Sequence, residues 1–211
     1  MRTFLPALAL IALTACVEDV GKDKVAATVE DAPTETTTAE KAPAKGQALK
    51  VDTSRSSIRA LGAKITATHP VDAKEFSGEV TFDGKAVTAV SFKVDMAKIE
   101  ADHPKLTSHL LDEDFFHVEV HPDATFKSAS IKEGSETEGM THTVSGDLTI
   151  RGKTKRVTFP AAITVEADAV KANTEFTIDR QDFGVSYPGR ADDLVQDNVV
   201  LTIAFVAPRS A

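Results

Sequence analysis

Apolar and polar residues alternate with a period of two along most of the chain from residue 49 onward. In the stretch VSFKVDM, residues 90–96, every second residue is apolar, and residues 157–165 and 172–178 repeat the pattern. A period of two places one set of side chains on a single face of a β-strand, whereas an amphipathic helix needs a period near 3.6. The alternation therefore predicts a domain built from strands that each bury one face.

Turn-forming pairs separate these runs. They are Asp83-Gly84, Glu133-Gly134, Arg151-Gly152 and Pro188-Gly189. About eight strands with short connections fit between them, which favours antiparallel pairing. An antiparallel barrel of about eight strands has an interior just wide enough for packed side chains or one slender ligand. A sandwich of two sheets stays open as the alternative architecture.

One segment breaks the alternation. Residues 101–116 place Pro104 at a first helical turn and Leu106, Leu110 and Leu111 at helical spacing. We expect one short helix near residues 103–114, which either plugs an open end of the barrel or acts as a lid over it.

The N-terminus has the features of an export signal. Arg2 precedes a short apolar run, residues 4–12, that is too short to span a bilayer. The run ends in Leu13-Thr14-Ala15-Cys16, which resembles a bacterial lipobox, where cleavage before the cysteine leaves its thiol to be acylated. We expect a lipoprotein signal peptide over residues 1–15 and lipidation of Cys16. The alternatives are an ordinary signal peptide with a chance cysteine, or a short core helix.

Residues 16–48 have the composition of a tether. They are rich in Thr, Ala, Glu and Lys and contain no aromatic residue. Such a segment buries too little apolar surface to offset its ordering entropy, so we expect it to be disordered. Val17, rather than Asp, follows the cysteine, and by resemblance to lipoprotein sorting this favours the outer membrane. The domain itself is expected over residues 49–208.

The basic stretch around Gly152-Lys153-Thr154 does not fit a phosphate-binding loop. Such a loop needs a glycine five positions earlier, where Asp147 stands, and a helix afterwards, where the strand-like residues 156–159 stand. The net charge of -8 also argues against a nucleic-acid partner. We interpret residues 151–155 as a solvated hairpin tip.

The histidines provide the main alternative to a binding function. His117 and His121 flank a stretch that looks extended, and extended residues four apart lie about 13 Å from each other, too far to share an ion. His103, His109 and His117 with the acidic residues 112–114 still provide an alternative, a metal-binding or hydrolytic protein that uses the cluster from His103 to His121. The favoured interpretation is that these are surface histidines, with no metal bound. No nucleophile motif stands out, so no catalytic residue is assigned.

Five motifs in order resemble the YceI family. They are DTSRS at residues 52–56, LLDEDFF at 110–116, PDATFKS at 122–128, GDLTIRGKTK at 146–155 and IDRQDFG at 178–184. Together they span residues 49–205. The resemblance implies an extended eight-stranded antiparallel barrel, lipocalin-like in shape, that encloses an isoprenoid or another long-chain lipid. It also implies a periplasmic protein that is not an established enzyme.

The sequence thus predicts a non-catalytic carrier on the periplasmic side of a bacterial cell envelope, attached to the membrane through Cys16. The expected ligand is a polyisoprenoid, an isoprenoid quinone or a fatty-acyl amide, with no cofactor and no nucleic acid, and a dimer is possible. An apolar chain needs only a long apolar tunnel. The candidate lining residues are Phe82, Phe92, Val94, Leu110, Leu111, Phe115, Phe126, Leu148, Ile150, Phe159, Phe176 and Ile178. The alternative is that these residues fill a closed core, which would leave a cell-surface interaction module with a solid barrel.

Overall fold

The structure, a computed structural model, describes residues 17–33 and 46–209. Within these ranges the chain is almost entirely β-strand, with one α-helix and three short 3-10 turns at Thr53–Arg55, Met96–Lys98 and Arg180–Phe183. The elements in chain order are β1 (Thr28–Asp31), β2 (Gln47–Lys50), β3 (Ser57–Ala63), β4 (Thr68–Ala73), β5 (Phe76–Phe82), β6 (Val87–Asp95), β7 (Ile99–Ala101), α1 (Pro104–Leu111), β8 (Asp123–Glu133), β9 (His142–Ile150), β10 (Lys153–Val165), β11 (Ala169–Asp179), β12 (Gly189–Arg190), β13 (Asp193–Leu194) and β14 (Asn198–Pro208).

The main sheet is antiparallel and curls into a barrel, which confirms the predicted fold class. Its strand order is β2-β5-β6-β8-β9-β10-β11-β14-β3-β4-β7. The sheet contains more than the eight predicted strands because two long strands bend and are each divided in two. β4 runs on into β5, and β6 runs on into β7, and the bends stay paired through Lys74 N–H to Lys98 O (3.0 Å) and Asp95 N–H to Glu75 O (3.0 Å). Eight long strands form the ring when each bent pair is taken as one, and β2 is a short addition beside β5.

Phenylalanine rings from neighbouring strands pack in a row inside the barrel. Phe92 stacks on Phe126 with centroids 5.3 Å apart, Phe126 contacts Phe159 at 5.6 Å, and Phe159 stacks on Phe176 at 4.2 Å. Gly146 makes room for this row, because a Cβ there would lie 2.4 Å from the Phe126 ring. The alternation in sequence thus becomes a layer of interlocked aromatic side chains.

The short helix lies where the sequence predicts it. Pro104 occupies the first turn, and His103 caps the helix by accepting a hydrogen bond from Lys105 N–H at 3.2 Å. Leu110 is buried, while Leu106 and Leu111 are partly buried against the core. Among the described residues, no helix is long and apolar enough to cross a membrane.

The prediction of a disordered tether is wrong for residues 17–33, which we call the N-terminal strap. β10 and β11 pair with each other only from Ala162 to Val165 and then separate. The strap fills the gap: β1 pairs antiparallel with residues 155–158 of β10, and Ala27 N–H donates to Thr177 O of β11 at 2.9 Å. These backbone hydrogen bonds and the packing of Ala27 and Val29 on the core offset the entropy lost when the segment becomes ordered. Composition alone predicted too little burial to offset this loss. The predicted signal peptide and Cys16 lie outside the described residues.

Candidate functional site

One end of the barrel opens into a pocket of about 690 Å³, which we call the mouth. Three parts of the chain surround it: the β3–β4 hairpin, α1, and the segment 185–197 that carries β12 and β13. His109 of α1 packs edge-on against Tyr187 of the segment 185–197 at a centroid distance of 4.9 Å. Phe115, in the loop after α1, contacts both rings, at 4.9 Å from His109 and 5.0 Å from Tyr187. An aromatic cluster therefore holds α1 and the segment 185–197 together at the opening of the barrel.

Arg180 fixes the segment 185–197 from below. Its side chain is only 7% exposed, and its guanidinium donates to Val185 O at 2.6 Å, Gln196 O at 3.0 Å and Val195 O at 3.3 Å. It also forms an ion pair with Asp197 at 2.9 Å. The planar fork of an arginine reaches several acceptors at once, which explains why this residue type suits the position. Sequence reasoning noticed Arg180 only as part of a motif.

Two polar contacts lie at the mouth. Asp102 lies 3.1 Å from His69 Nδ1, and Lys64 Nζ donates to Asp193 at 2.6 Å. The hydrogen bond from Lys64, helped by Thr66, holds the pKa of Asp193 below its usual value. The rim of the mouth is thus polar and ionised, whereas the space below it is apolar.

Two smaller apolar spaces lie below the mouth. The first has a volume of about 110 Å³ and shares Val71 with the mouth; the second has about 40 Å³ and shares Phe92 and Ile203 with the first. The three spaces therefore adjoin in a row along the barrel. The two inner spaces fall short of the roughly 300–1,000 Å³ of typical ligand pockets, so a bound chain must displace side chains such as Phe92.

Eight of the twelve predicted lining residues border these three spaces. Leu110 and Phe115 lie at the mouth. The larger inner space is bordered by Phe92, Val94, Leu148 and Ile150, and the smaller one by Phe92, Phe126 and Phe159. The other four do not border them: Phe82, Phe176 and Ile178 are buried in the core and Leu111 packs partly buried against it.

The sequence reasoning missed several lining residues. Ile58, Val71, Met96, Leu201 and Ile203 all border the larger inner space. Ile58 stands between Ser57 and Arg59, so the period-two pattern contains the signal that would have found it. Leu201 and Ile203 lie in a run, residues 199–206, that is apolar on both faces for part of its length, so alternation alone does not single them out.

The described part of the chain does not bring the histidine cluster together as a set of metal ligands. Residues 117–121 form a turn and not the expected extended stretch, with His121 N–H donating to His117 O at 2.9 Å. The turn brings the two rings to a centroid distance of 6.0 Å. Even so, the described ranges contain no group of three or more His, Cys, Asp or Glu side chains placed to hold a metal ion.

The basic stretch at residues 151–155 is a hairpin, as predicted, but its first residue is partly buried. The turn between β9 and β10 has φ values of 50° at Arg151 and 70° at Gly152. Arg151 donates to Glu113 O at 2.8 Å and also to Gly184 O, so it connects the turn to the loop after α1 and to the residue just before the segment 185–197.

Comparison with known proteins decides the family. The model of the YceI-like domain matches residues 49–207. The chain belongs to the YceI family. A YceI relative from Pseudomonas putida, called UPF0312 protein, is 34% identical over 124 residues, which cover 55% of this chain and 63% of that protein. Protein YceI of Escherichia coli O157:H7 is 35% identical over 98 residues, covering 45% of this chain and 49% of that protein. The chain thus spans about half to two thirds of the curated YceI relatives that it matches.

Solved structures share the YceI fold at low sequence identity. BcnA of Burkholderia cenocepacia has a TM-score of 0.66 and 24% identity and covers 74% of this chain and 99% of its own. A structure described as a polyisoprenoid binding domain from Saccharophagus degradans has a TM-score of 0.60 and 13% identity, covering 76% of this chain and 98% of its own. These likenesses establish the shared barrel.

Proposed function

We propose that this protein binds one long-chain hydrophobic molecule inside its barrel and carries or stores it without chemical change. The observation that carries the proposal is the row of adjoining spaces from the mouth past Val71 to Phe92 and Ile203. The inner spaces are lined almost wholly by aliphatic and aromatic side chains, which offer no partner for a polar ligand. An apolar chain has no hydrogen bonds to satisfy there and gains about 25 cal/mol for each Å² removed from water.

The ligand class follows from the shape of this row. A narrow tunnel below a polar rim suits a chain with one polar end, such as a polyisoprenoid, an isoprenoid quinone or a fatty-acyl amide. Membership of the YceI family, and the shared fold with a polyisoprenoid binding domain of Saccharophagus degradans, support this choice. The polar end would lie among the ionised rim groups and the chain below Val71.

The cellular setting is part of the proposal. The Leu13-Thr14-Ala15-Cys16 sequence supports export, cleavage before Cys16 and attachment of acyl chains there. The domain would then work on the periplasmic side of the cell envelope. Val17, which follows the cysteine, favours attachment to the outer membrane. No covalent step on the ligand is assigned to any residue.

The test is to identify lipid retained by the purified protein. The protein is extracted with organic solvent and the extract is analysed by mass spectrometry, alongside an Ala60→Phe variant. Ala60 borders the larger inner space, so a phenylalanine there occupies the tunnel. We expect about one apolar molecule per wild-type barrel, and a large loss of it in the variant, whose circular dichroism should remain that of a folded β-protein.

The small inner volumes favour one second candidate, an interaction module with a filled barrel. This candidate predicts no extractable lipid from either protein and no effect of Ala60→Phe beyond a loss of stability from overpacking. The two functions therefore give opposite results in the same extraction.

A further inference from the structure

The N-terminal strap begins at the rim of the mouth. Val17 N–H donates to Ile65 O at 2.8 Å, and Ile65 N–H in turn donates to Leu194 O at 3.1 Å. Gln196 holds the same end through its amide, which accepts from Val20 N–H at 3.0 Å and donates to Glu18 O at 3.2 Å. The first described residue of the chain is therefore pinned to the two loops that form this side of the mouth.

The strap stays attached along its length. Asn198 Nδ2 donates to Asp19 at 2.9 Å, and Lys24 pairs with Glu175 at 2.7 Å. Further along, Thr177 N–H donates to Val25 O at 2.9 Å, and β1 then pairs with β10. These contacts leave no free length between Val17 and the barrel wall, so the barrel cannot swing on the strap as it would on a flexible tether.

The point of attachment is also the opening of the pocket. Lys64 and Val195 form a β-bridge beside Ile65, and both line the mouth. Leu194 precedes Val195, accepts the hydrogen bond from Ile65 N–H and is 46% exposed, which makes it one of the few large apolar side chains exposed on the described surface. An exposed aliphatic side chain at this place suits contact with an apolar phase.

We propose that the rim around Ile65 and Leu194 is a membrane-contact surface that seats the mouth of the barrel against a lipid leaflet. The inference rests on the proposed acylation of Cys16, the residue before Val17. Because consecutive Cα atoms are about 3.8 Å apart, acyl chains attached to Cys16 would start one residue away from Val17, which the rim holds. The ligand then passes between leaflet and barrel without exposing its apolar chain to water, which is the main barrier to lipid transfer.

Tryptophan fluorescence tests this orientation directly, because the chain contains no tryptophan. The reporter is Leu194→Trp, and its matched control is Val165→Trp, since Val165 is also an exposed aliphatic residue, at 39%. Val165 lies in the pair with Val170, at the opposite end of the barrel. The 11 residues of β11 separate the two ends by about 35 Å. The full acylated protein is placed in phosphatidylethanolamine–phosphatidylglycerol vesicles whose acyl chains carry bromine, a contact quencher.

We expect Leu194→Trp to lose most of its emission in brominated vesicles and Val165→Trp to keep its emission. Adding Cys16→Ser to the reporter controls for brominated lipid captured inside the barrel, and this double variant should recover most of the emission. Intact-protein mass spectrometry establishes in parallel whether Cys16 carries acyl chains.

Three results would overturn the proposal. An acylated protein in which neither reporter is quenched holds its mouth away from the leaflet, and one in which both are quenched equally lies on its side. Either result leaves lipid binding in the barrel untouched. Absence of the acyl mass removes the anchor itself, and with it both this inference and the proposed attachment at Cys16.

Discussion

Replacing Arg180 by methionine should destabilise the whole domain, and the structure gives the size of the effect. The side chain is 7% exposed, and its guanidinium satisfies three backbone carbonyls of the segment 185–197. A hydrogen bond from a charged donor contributes about 1.5–3 kcal/mol, but the three share one side chain and are not additive. Asp197 is 55% exposed, so water replaces that partner. Each carbonyl left without its donor costs about 1–3 kcal/mol, so three costs that do not add fully give an expected decrease of about 3–5 kcal/mol in the free energy of unfolding.

Thermal unfolding followed by circular dichroism measures this change. For a protein of this size 1 kcal/mol shifts the Tm by about 2–4 °C, so Arg180→Met should lower the Tm by about 6–20 °C. The matched control is Arg59→Met, because Arg59 pairs with Asp72 while its side chain is 57% exposed, and its Tm should stay close to wild type. Equal Tm values for wild type and Arg180→Met would refute the idea that the buried guanidinium holds the segment 185–197 in place.

Three further results are expected. Gly146→Ala should lower the free energy of unfolding, measured by urea denaturation, by about 1–3 kcal/mol, because its Cβ would lie 2.4 Å from the Phe126 ring. The control Gly62→Ala, which has no atom within 4 Å of the added Cβ, should be close to neutral, and equal urea midpoints for the two variants would contradict the packing. The pKa of Asp72 is held below its usual value by the hydrogen bond from Arg59, and that of Asp193 by the one from Lys64. The unfolded chain therefore binds these protons at higher pH than the folded one, so urea midpoints should be level above about pH 4.5 and fall as the pH drops below about 4; a rise on acidification would contradict the sign. Val29→Asp should place a charge against the core and release β1 from β10. The backbone amides of residues 155–158 should then exchange hydrogen with water faster, and unchanged protection of these amides would show that Val29 does not hold the strap in place.

The fold was largely predictable from the sequence, because its signals are local. The period-two runs became β6, β10 and β11, the Arg151-Gly152 pair became a hairpin turn, and Pro104 opened the helix. The alternation also identified the six strand residues that border the inner spaces, since a side chain that faces inward in a barrel is either core or cavity wall. Which of the two it becomes depends on the residues across the barrel, and this is why Phe176 and Ile178 belong to the core and not to the tunnel.

The strap and Arg180 were not predictable in the same way, because both depend on distant partners. The strap contributes few apolar side chains, chiefly Ala27 and Val29, and its place exists only because β10 and β11 separate after a short pairing. The acceptors of Arg180 are backbone carbonyls, which every residue has, so no side-chain pattern marks them. The turn at residues 117–121 was misjudged for a similar reason: Val118 and Val120 favour a strand in isolation, but the fold bends the chain there.

A crystal structure of the protein purified with its own lipid tests the central claim most directly. We predict continuous electron density for one apolar chain, which begins at the mouth, passes Val71 and reaches the place where Phe92 and Ile203 separate the two inner spaces, with the Phe92 side chain displaced. Density for lipid outside the barrel, together with an inner wall in which Phe92 still stacks on Phe126 at 5.3 Å, would contradict the account.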